Sequence, residues 1–412
     1  MTLTNKNTGS RVAIFSPSFR GGGMERVISM LSINAPEGID MTILTLKKDV
    51  AYCVRHPILC LGDYSNIFGA IKSYIRLNKF LREHKPDVLL IFGTAQGLSI
   101  ALLGFCKDKI LTIRNYNFEP THKRKYKQTY FNLLISKVAR ILTRKIIVVS
   151  QPIKYKLIKK YNIPTSKISI IYNPVDTKTI MKLATEKLED EKEEIFNGPV
   201  LINVGRLIRQ KGQWHLLRIF KRVVEEIPEP RLVLIGQGGL KDNLKKLSLR
   251  LGIDKNVFFF GWRNNPFKYM ARSKLFCLTS LWEGFPNVVV ESLACGLPVM
   301  AADCLSGPRE ILAPGTEYKV ERLREPEYGE YGILMPVMDG KLYTASDPLT
   351  WQEEVWAEEI IKLLKDPRPL EEYREKALKR ALDFEAQKQV KKYFEIMFNT
   401  VEKGLLFVSS QK

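Results

Sequence analysis

Two carboxylates eight positions apart, Glu283 and Glu291, stand in the stretch Ser280-Leu-Trp-Glu-Gly-Phe-Pro-Asn-Val-Val-Val-Glu-Ser-Leu-Ala-Cys-Gly-Leu-Pro298. A short apolar run, Leu275–Leu278, precedes it and reads as a buried strand. The second half reads as a helix closed by Gly296 and Pro298. Glu283 then lies in the loop between strand and helix, kept tight by Gly284 and Pro286, and Asn287 is expected to cap the helix. A helix N-terminus at the carboxyl end of a strand offers unpaired N–H groups and a positive dipole end, which suits a phosphate. Ionised carboxylates only accept hydrogen bonds, so a pair of them beside that phosphate suits sugar hydroxyls. The chemistry implied is the holding of a sugar nucleotide.

Elements that could position these groups recur along the chain. Arg11–Ser16 opens as a short strand, enters a loop holding Gly21, Gly22 and Gly23, and continues into a helix over Glu25–Ser32. Such glycines let a phosphate approach the backbone, although a plain tight turn would read the same way. Further strands are expected at Met41–Leu46, Val88–Phe92, Ile110–Ile113, Ile146–Val149 and Ile168–Tyr172. The turn Asn173–Asp176 ends this series. A second series begins with Pro199–Gly205, a strand running into Arg206-Leu-Ile-Arg-Gln-Lys-Gly212, with a helix over Gln213–Glu226. Strands at Arg231–Gly236, Val257–Gly261, Leu275–Leu278, Val299–Ala302 and Gly332–Pro336 follow. Strands alternating with helices at this spacing give parallel sheets covered on both faces. At 412 residues the chain has room for two such domains, expected over residues 1–180 and 181–385. A final helix is expected near 386–412. Gly236–Gly239 reads as a strand-to-helix turn, and Ser306–Glu310 as a turn that either faces a ligand or is structural.

Composition narrows the class. Hydrophobic residues are 45 % and charged residues 26 %, which fits a globular protein. Six cysteines show no CxxC pair, so free thiols in a reducing compartment are expected. Met1–Ser10 is polar and carries no signal peptide pattern. Val88–Cys106 is uncharged, but Gly93, Thr94, Gln96 and Gly97 break it into strand, loop and helix rather than a membrane span. The net charge is +21, and residues 1–180 carry 29 Lys and Arg against 10 Asp and Glu. Pro120–Val175 has no acidic residue, and Tyr126 and Tyr130 stand among its first cations. This excess calls for a polyanion, and basic–aromatic mixing favours an anionic membrane surface. No nucleic-acid-binding motif accompanies it, so nucleic acid is not an expected partner. Lys72, Arg76, Lys79 and Arg82 share one face of a helix over Ile67–His84, read as a solvated surface.

Taken together, Gly205-Arg206…Lys211-Gly212, Glu283 and Glu291 with seven residues between them, and the loop at Gly21–Gly23 resemble the retaining glycosyltransferases of family four. The resemblance is strongest over residues 199–312 and looser in the first 180. It implies the GT-B fold, two Rossmann-like α/β domains facing across a cleft, with the final helix near 386–412 returning to pack on the first domain. It implies that Arg206 and Lys211 grip the donor diphosphate and stabilise the leaving group. Glu283 would hold the transferred sugar, and Glu291 the ribose. Gly205, Gly284, Phe285, Pro286, Asn287 and Val288 would line the donor, Trp262 and Arg263 would lie near the base, and Gly22 and Gly23 would close on the diphosphate. Many relatives carry a histidine in the loop that reads Arg114-Asn-Tyr-Asn117 here; none of His56, His84, His122 and His215 falls there, so Arg114 and Asn115 are left to face sugar or acceptor. The implied reaction moves a hexose or N-acetylhexosamine from a UDP-sugar to a lipid-linked or surface-glycan acceptor, with no metal or cofactor, which fits the missing DxD triplet. The implied setting is the cytoplasmic face of a bacterial cell membrane. A UDP-sugar epimerase of the same fold would share the nucleotide grip. A basic, non-enzymatic membrane- or nucleic-acid-binding protein would share only the charge.

Overall fold

A computed structural model describes residues 9–19, 22–47, 50, 52–62, 67–92, 104–114, 141–188, 193–316 and 323–409. Asn115, Gly21, residues 93–103 and residues 120–140 of the basic stretch lie outside the described residues. The chain divides into two compact units, Met1–Pro174 with Ala386–Lys412, and Val175–Glu385. The division falls inside the Asn173–Asp176 turn, nearer the N-terminus than residue 180.

The first unit is built on a parallel sheet of β1 (Arg11–Ser16), β2 (Asp40–Thr45), β3 (Ile58–Cys60), β4 (Val88–Phe92), β5 (Asp108–Ile113), β6 (Lys145–Val148) and β7 (Ile168–Ile170). Their order is β3-β2-β1-β4-β5-β6-β7. Strands buried on both faces read as continuous apolar runs, and Val88–Phe92 is buried along its whole length in the sheet. Helices α1 (Gly23–Ile33), α2 (Ile67–His84) and α3 (Gln151–Tyr161) belong to this unit. The last helix of the chain, Ala386–Ser409, lays Val390, Tyr393, Phe394 and Met397 into the same core. Those positions follow the i, i+3, i+4, i+7 spacing of one helix face. Arg114, at the end of β5, donates to the Tyr393 hydroxyl at 3.0 Å and to Asn173 Oδ1, with its guanidinium over the Phe92 ring. Its side chain thus ties the sheet to the returning helix.

The second unit carries α4 (Thr177–Ala184) and a sheet of β8 (Val200–Val204), β9 (Arg231–Ile235), β10 (Val257–Gly261), β11 (Leu275–Leu278), β12 (Val299–Ala302), β13 (Glu327–Tyr328) and β14 (Ile333–Met335). The order is β10-β9-β8-β11-β12-β14-β13, parallel except that β13 is antiparallel to β14. Strand order reverses beside β8, whose neighbours are β9 and β11. The crevice outside the carboxyl ends of two strands at such a reversal is where open α/β sheets bind ligands. Helix α5 (Gln213–Glu226) follows β8 and packs Trp214, Leu217 and Phe220 into a core with Trp356, and α6 (Lys241–Arg250) and α7 (Phe267–Met270) come after it. Strands β3 and β13 were not foreseen: with three and two residues they show no period to read. All six cysteines are free. Among the described residues no helix is long and apolar enough to cross a membrane.

Candidate functional site

The loops that leave β8 and β11 meet at the reversal point. Lys211 Nζ donates to Glu283 Oε1 at 2.6 Å, with both side chains largely buried. Gln210 supports the same carboxylate, donating to Glu283 Oε2 at 3.4 Å and to the Trp282 carbonyl at 2.9 Å. The backbones lock alongside: the Leu281 amide donates to the Gln210 carbonyl, and Thr279 Oγ1 to the Lys211 carbonyl. Glu283 is pinned from its other side by paired backbone bonds with Leu305 and Ser306, and Ser306 Oγ donates to the Gly284 carbonyl. The segment formed by Ser306 and the short helix Pro308–Leu312, where a turn was expected, therefore braces the Glu283 loop. Its Arg309 is held by Asp303 at 2.6 Å and Glu327 at 2.6 Å.

Gly212 makes the close approach of the two loops possible. Its φ of +63° lies in the left-handed region, and a Cβ there would sit 2.3 Å from the Thr279 carbonyl oxygen. Gly212→Ala is expected to lower stability by roughly 1–3 kcal/mol and to displace Lys211. Urea unfolding together with donor titration checks this; wild-type values in both would show that the loops can move apart without consequence.

Gly236 and Gly238 work in the same way, although the sequence read them as a plain turn. A Cβ on Gly236 would lie 1.9 Å from the Gly205 carbonyl oxygen, and one on Gly238 2.3 Å from that of Leu207. The carboxyl ends of β8 and β9 are therefore pressed together, and Leu207 N donates to the Gln237 carbonyl. Gly205 in turn lies against the Lys211 side chain, 3.5 Å from Cε to a Cβ built on it.

Arg206 is exposed, and among the described residues its guanidinium has no ion-pair partner. Glu291 lies on α8 (Asn287–Ala294) and is buried. The cap of this helix is Pro286 and Asn287 is its first helical residue, so the helix starts one position earlier than expected. Proline at 286 fixes φ near −79°, which starts the helix after it and takes the cap position from Asn287. Phe285 packs its ring on Phe384 at 5.5 Å, and Val288 is half-buried with its carbonyl accepting from Ser292. Beyond β10, Trp262 is 63 % exposed and donates to Asn264, while Arg263 stacks over Phe260 with its Nε buried and without a partner among the described residues.

Two buried polar atoms near these loops, Ser280 Oγ and Gln213 Oε1, also have no partner among the described residues. Sequence reading passed over Gln210, Gln213 and Ser280 because none carries a charge or a recognised spacing. Cys304 follows β12; burial, with the Glu283 charge nearby, holds its thiol well above the ordinary range, so it is a neutral packing group. In the first unit, Gly22 precedes α1 and its amide donates to the Tyr52 hydroxyl at 3.3 Å, and Gly23 is the first helical residue. Arg114 is engaged by Tyr393 and Asn173 as described above.

Comparison with known proteins bears on the whole chain. Residues 185–321 match the family model for glycosyl transferases group 1, and residues 21–179 match that for glycosyltransferase family 4. An uncharacterised glycosyltransferase of Methanocaldococcus jannaschii is 34 % identical over 81 % of this chain and 84 % of its own length. The Campylobacter jejuni N-acetylgalactosamine-N,N'-diacetylbacillosaminyl-diphospho-undecaprenol 4-alpha-N-acetylgalactosaminyltransferase is 28 % identical over 73 % of this chain and 83 % of its own. Among solved structures, Anabaena HepE in complex with UDP superposes with a TM-score of 0.73 at 19 % identity, covering 94 % of this chain and all of that one. The chain belongs to the family-four glycosyltransferases and has their GT-B fold.

Proposed function

We propose that this glycosyltransferase moves a hexose or N-acetylhexosamine from a UDP-sugar onto a lipid-linked or surface-glycan acceptor, with retention and without a metal. The observation that carries the donor reading is the Lys211–Glu283 pair at the reversal point of the second sheet, with Arg206 exposed on the same loop as Lys211. Two fixed positive charges suit a diphosphate and the negative charge that grows on it as it leaves. The N-terminus of α8 adds backbone N–H groups, and Glu283 and Glu291 offer acceptors to sugar and ribose hydroxyls. Anabaena HepE, which shares the fold, has been solved with UDP and with UDP-glucose.

In the reaction, the bond between the sugar's anomeric carbon and the β-phosphate oxygen breaks. The acceptor oxygen bonds that carbon on the same face, and its proton passes to the departing phosphate oxygen. Lys211 and Arg206 stabilise that oxygen in place of a cation, and the Lys211 contact fixes the carboxylate that orients the sugar.

The acceptor reading draws on the Campylobacter relative, which is named for transfer onto a diphospho-undecaprenol-linked sugar, and on the Salmonella typhimurium relative named lipopolysaccharide 1,6-galactosyltransferase. A lipid-linked acceptor would hold the enzyme at the inner face of the cell membrane, where the basic first unit meets anionic headgroups. The test offers a panel of UDP-sugars with and without a polyprenyl-diphosphate sugar, in the presence of EDTA, and follows product by NMR. Acceptor-dependent release of UDP and an anomeric configuration matching the donor are expected. An inverted product, a metal requirement, or an epimerised UDP-sugar without acceptor would each overturn the corresponding part.

A further inference from the structure

Helix α2 buries Ser73, Leu77, Asn78, Phe80 and Leu81, which share one side of a 3.6-residue wheel. Its opposite side exposes Phe68 at 79 %, Ile71 at 51 % and Ile75 at 60 %, spaced i, i+3 and i+7. Phe105, 62 % exposed, continues this apolar surface toward the helix C-terminus. Its amide donates to Asn78 Oδ1 at 2.8 Å, and its ring lies 5.0 Å beneath the Arg82 guanidinium. A single exposed apolar side chain needs no explanation, but four large ones on one face mark a contact surface.

Charge decides what the surface contacts. Lys72, Lys79 and Arg82 are exposed on the same face, Arg76 stands at its edge with one donor taken by the Leu61 carbonyl, and Glu83 is the helix's one acid. An anionic bilayer accepts both kinds of group, rings and branched chains at the acyl boundary and cations among the headgroup phosphates. A second copy of this chain would bring the same cations, in a region with 29 basic against 10 acidic residues, and like charges would oppose the contact.

We infer that α2, with Phe105, is the surface by which this protein rests on anionic lipid. The inference depends on the reading of a membrane-borne acceptor and names the element that docks. Full-length protein is sedimented with vesicles of phosphatidylcholine alone and of phosphatidylcholine mixed with phosphatidylglycerol. Wild type is expected to bind the mixed vesicles and to be released by salt. The combined variant Phe68→Ser, Ile71→Ser and Ile75→Ser should bind them at least about tenfold more weakly. Lys72→Gln with Lys79→Gln should lose roughly tenfold or more and show a weaker salt dependence. Both variants should keep the wild-type melting temperature and the wild-type rate on a water-soluble acceptor analogue. Vesicle binding by the serine variant equal to wild type would place the docking surface elsewhere. No wild-type binding to either vesicle would overturn the membrane reading, while transfer to the soluble analogue would leave the enzyme reading standing. A wild-type dimer that the serine variant makes monomeric would assign the face to a second copy.

Discussion

Replacing Lys211 with alanine is expected to lower the rate of sugar transfer by roughly 10²–10³-fold, the effect seen when one fixed stabiliser of a developing oxyanion is removed. Lys211 is held in place before any donor arrives: its ammonium sits 2.6 Å from Glu283 Oε1, and its backbone is fixed by Thr279 on one side and Gly212 on the other. A charge already oriented needs no reorganisation when the diphosphate departs, and this makes the loss a matter of rate. The alanine variant also leaves the buried Glu283 carboxylate without its cation, so donor binding should weaken too. Glu283→Gln keeps the volume and one acceptor oxygen for Lys211, and is expected to cost about 10² in rate with a smaller change in donor affinity. Because the two residues act as one unit, the double variant should be little slower than the worse single. Single-turnover rates and donor titrations on all three variants, with melting curves to establish folding, measure this. A folded Lys211→Ala enzyme within threefold of wild type would remove Lys211 from the reaction.

That pair shows how far the sequence reading reaches. Glu283 was singled out by its place in a loop between an apolar strand and a patterned helix, and Lys211 by the resemblance to the family. Their contact was not, since 72 positions separate them and only the strand order brings β8 beside β11. The same holds for Gly236 and Gly238: the glycines are visible, but their reason lies in the carbonyls of Gly205 and Leu207 on the neighbouring loop. Arg114 was singled out through the family resemblance, as a residue facing sugar or acceptor. The structure adds a contact that the sequence does not show, with Tyr393 from the far end of the chain. In α2 the cations were read correctly as an outer face, while Phe68, Ile71 and Ile75 beside them were passed over, because apolar residues in a helix are taken for core until a fold shows which side is covered.

The largest stability effect is expected beneath the donor loops, at Glu353. Its carboxylate lies 2.8 Å from His215 Nδ1 and 3.0 Å from Arg218 Nε, and all three side chains are buried. The Thr350 amide donates to Oε2 at 2.8 Å, completing a capping box at the start of the helix Trp351–Lys365. Arg218 extends the cluster to the carbonyls of Thr344, Asp347 and Pro348. His215 is in the first turn of α5, immediately after Gly212, and nearby Trp214 and Arg209 donate to the carbonyls of Lys341 and Gly340. The cluster thus anchors the turn that carries Lys211. Removing one partner of a buried charge pair strands the other, so Glu353→Gln should destabilise the fold by about 3–5 kcal/mol. Burial alone would raise the Glu353 carboxyl, but hydrogen bonds from His215, Arg218 and the Thr350 amide outweigh it and hold its pKa below the usual value. A carboxyl with a lower pKa in the folded state contributes stability that is complete above its unfolded pKa of about 4.3 and is lost as the pH falls through the folded value. The stability difference between wild type and Glu353→Gln should therefore be constant around neutrality and shrink in acid. Urea unfolding of both proteins across that range tests the cluster: a difference under about 1 kcal/mol at neutral pH, or one that grows as the pH falls, would mean that Glu353 does not hold the turn in its charged form.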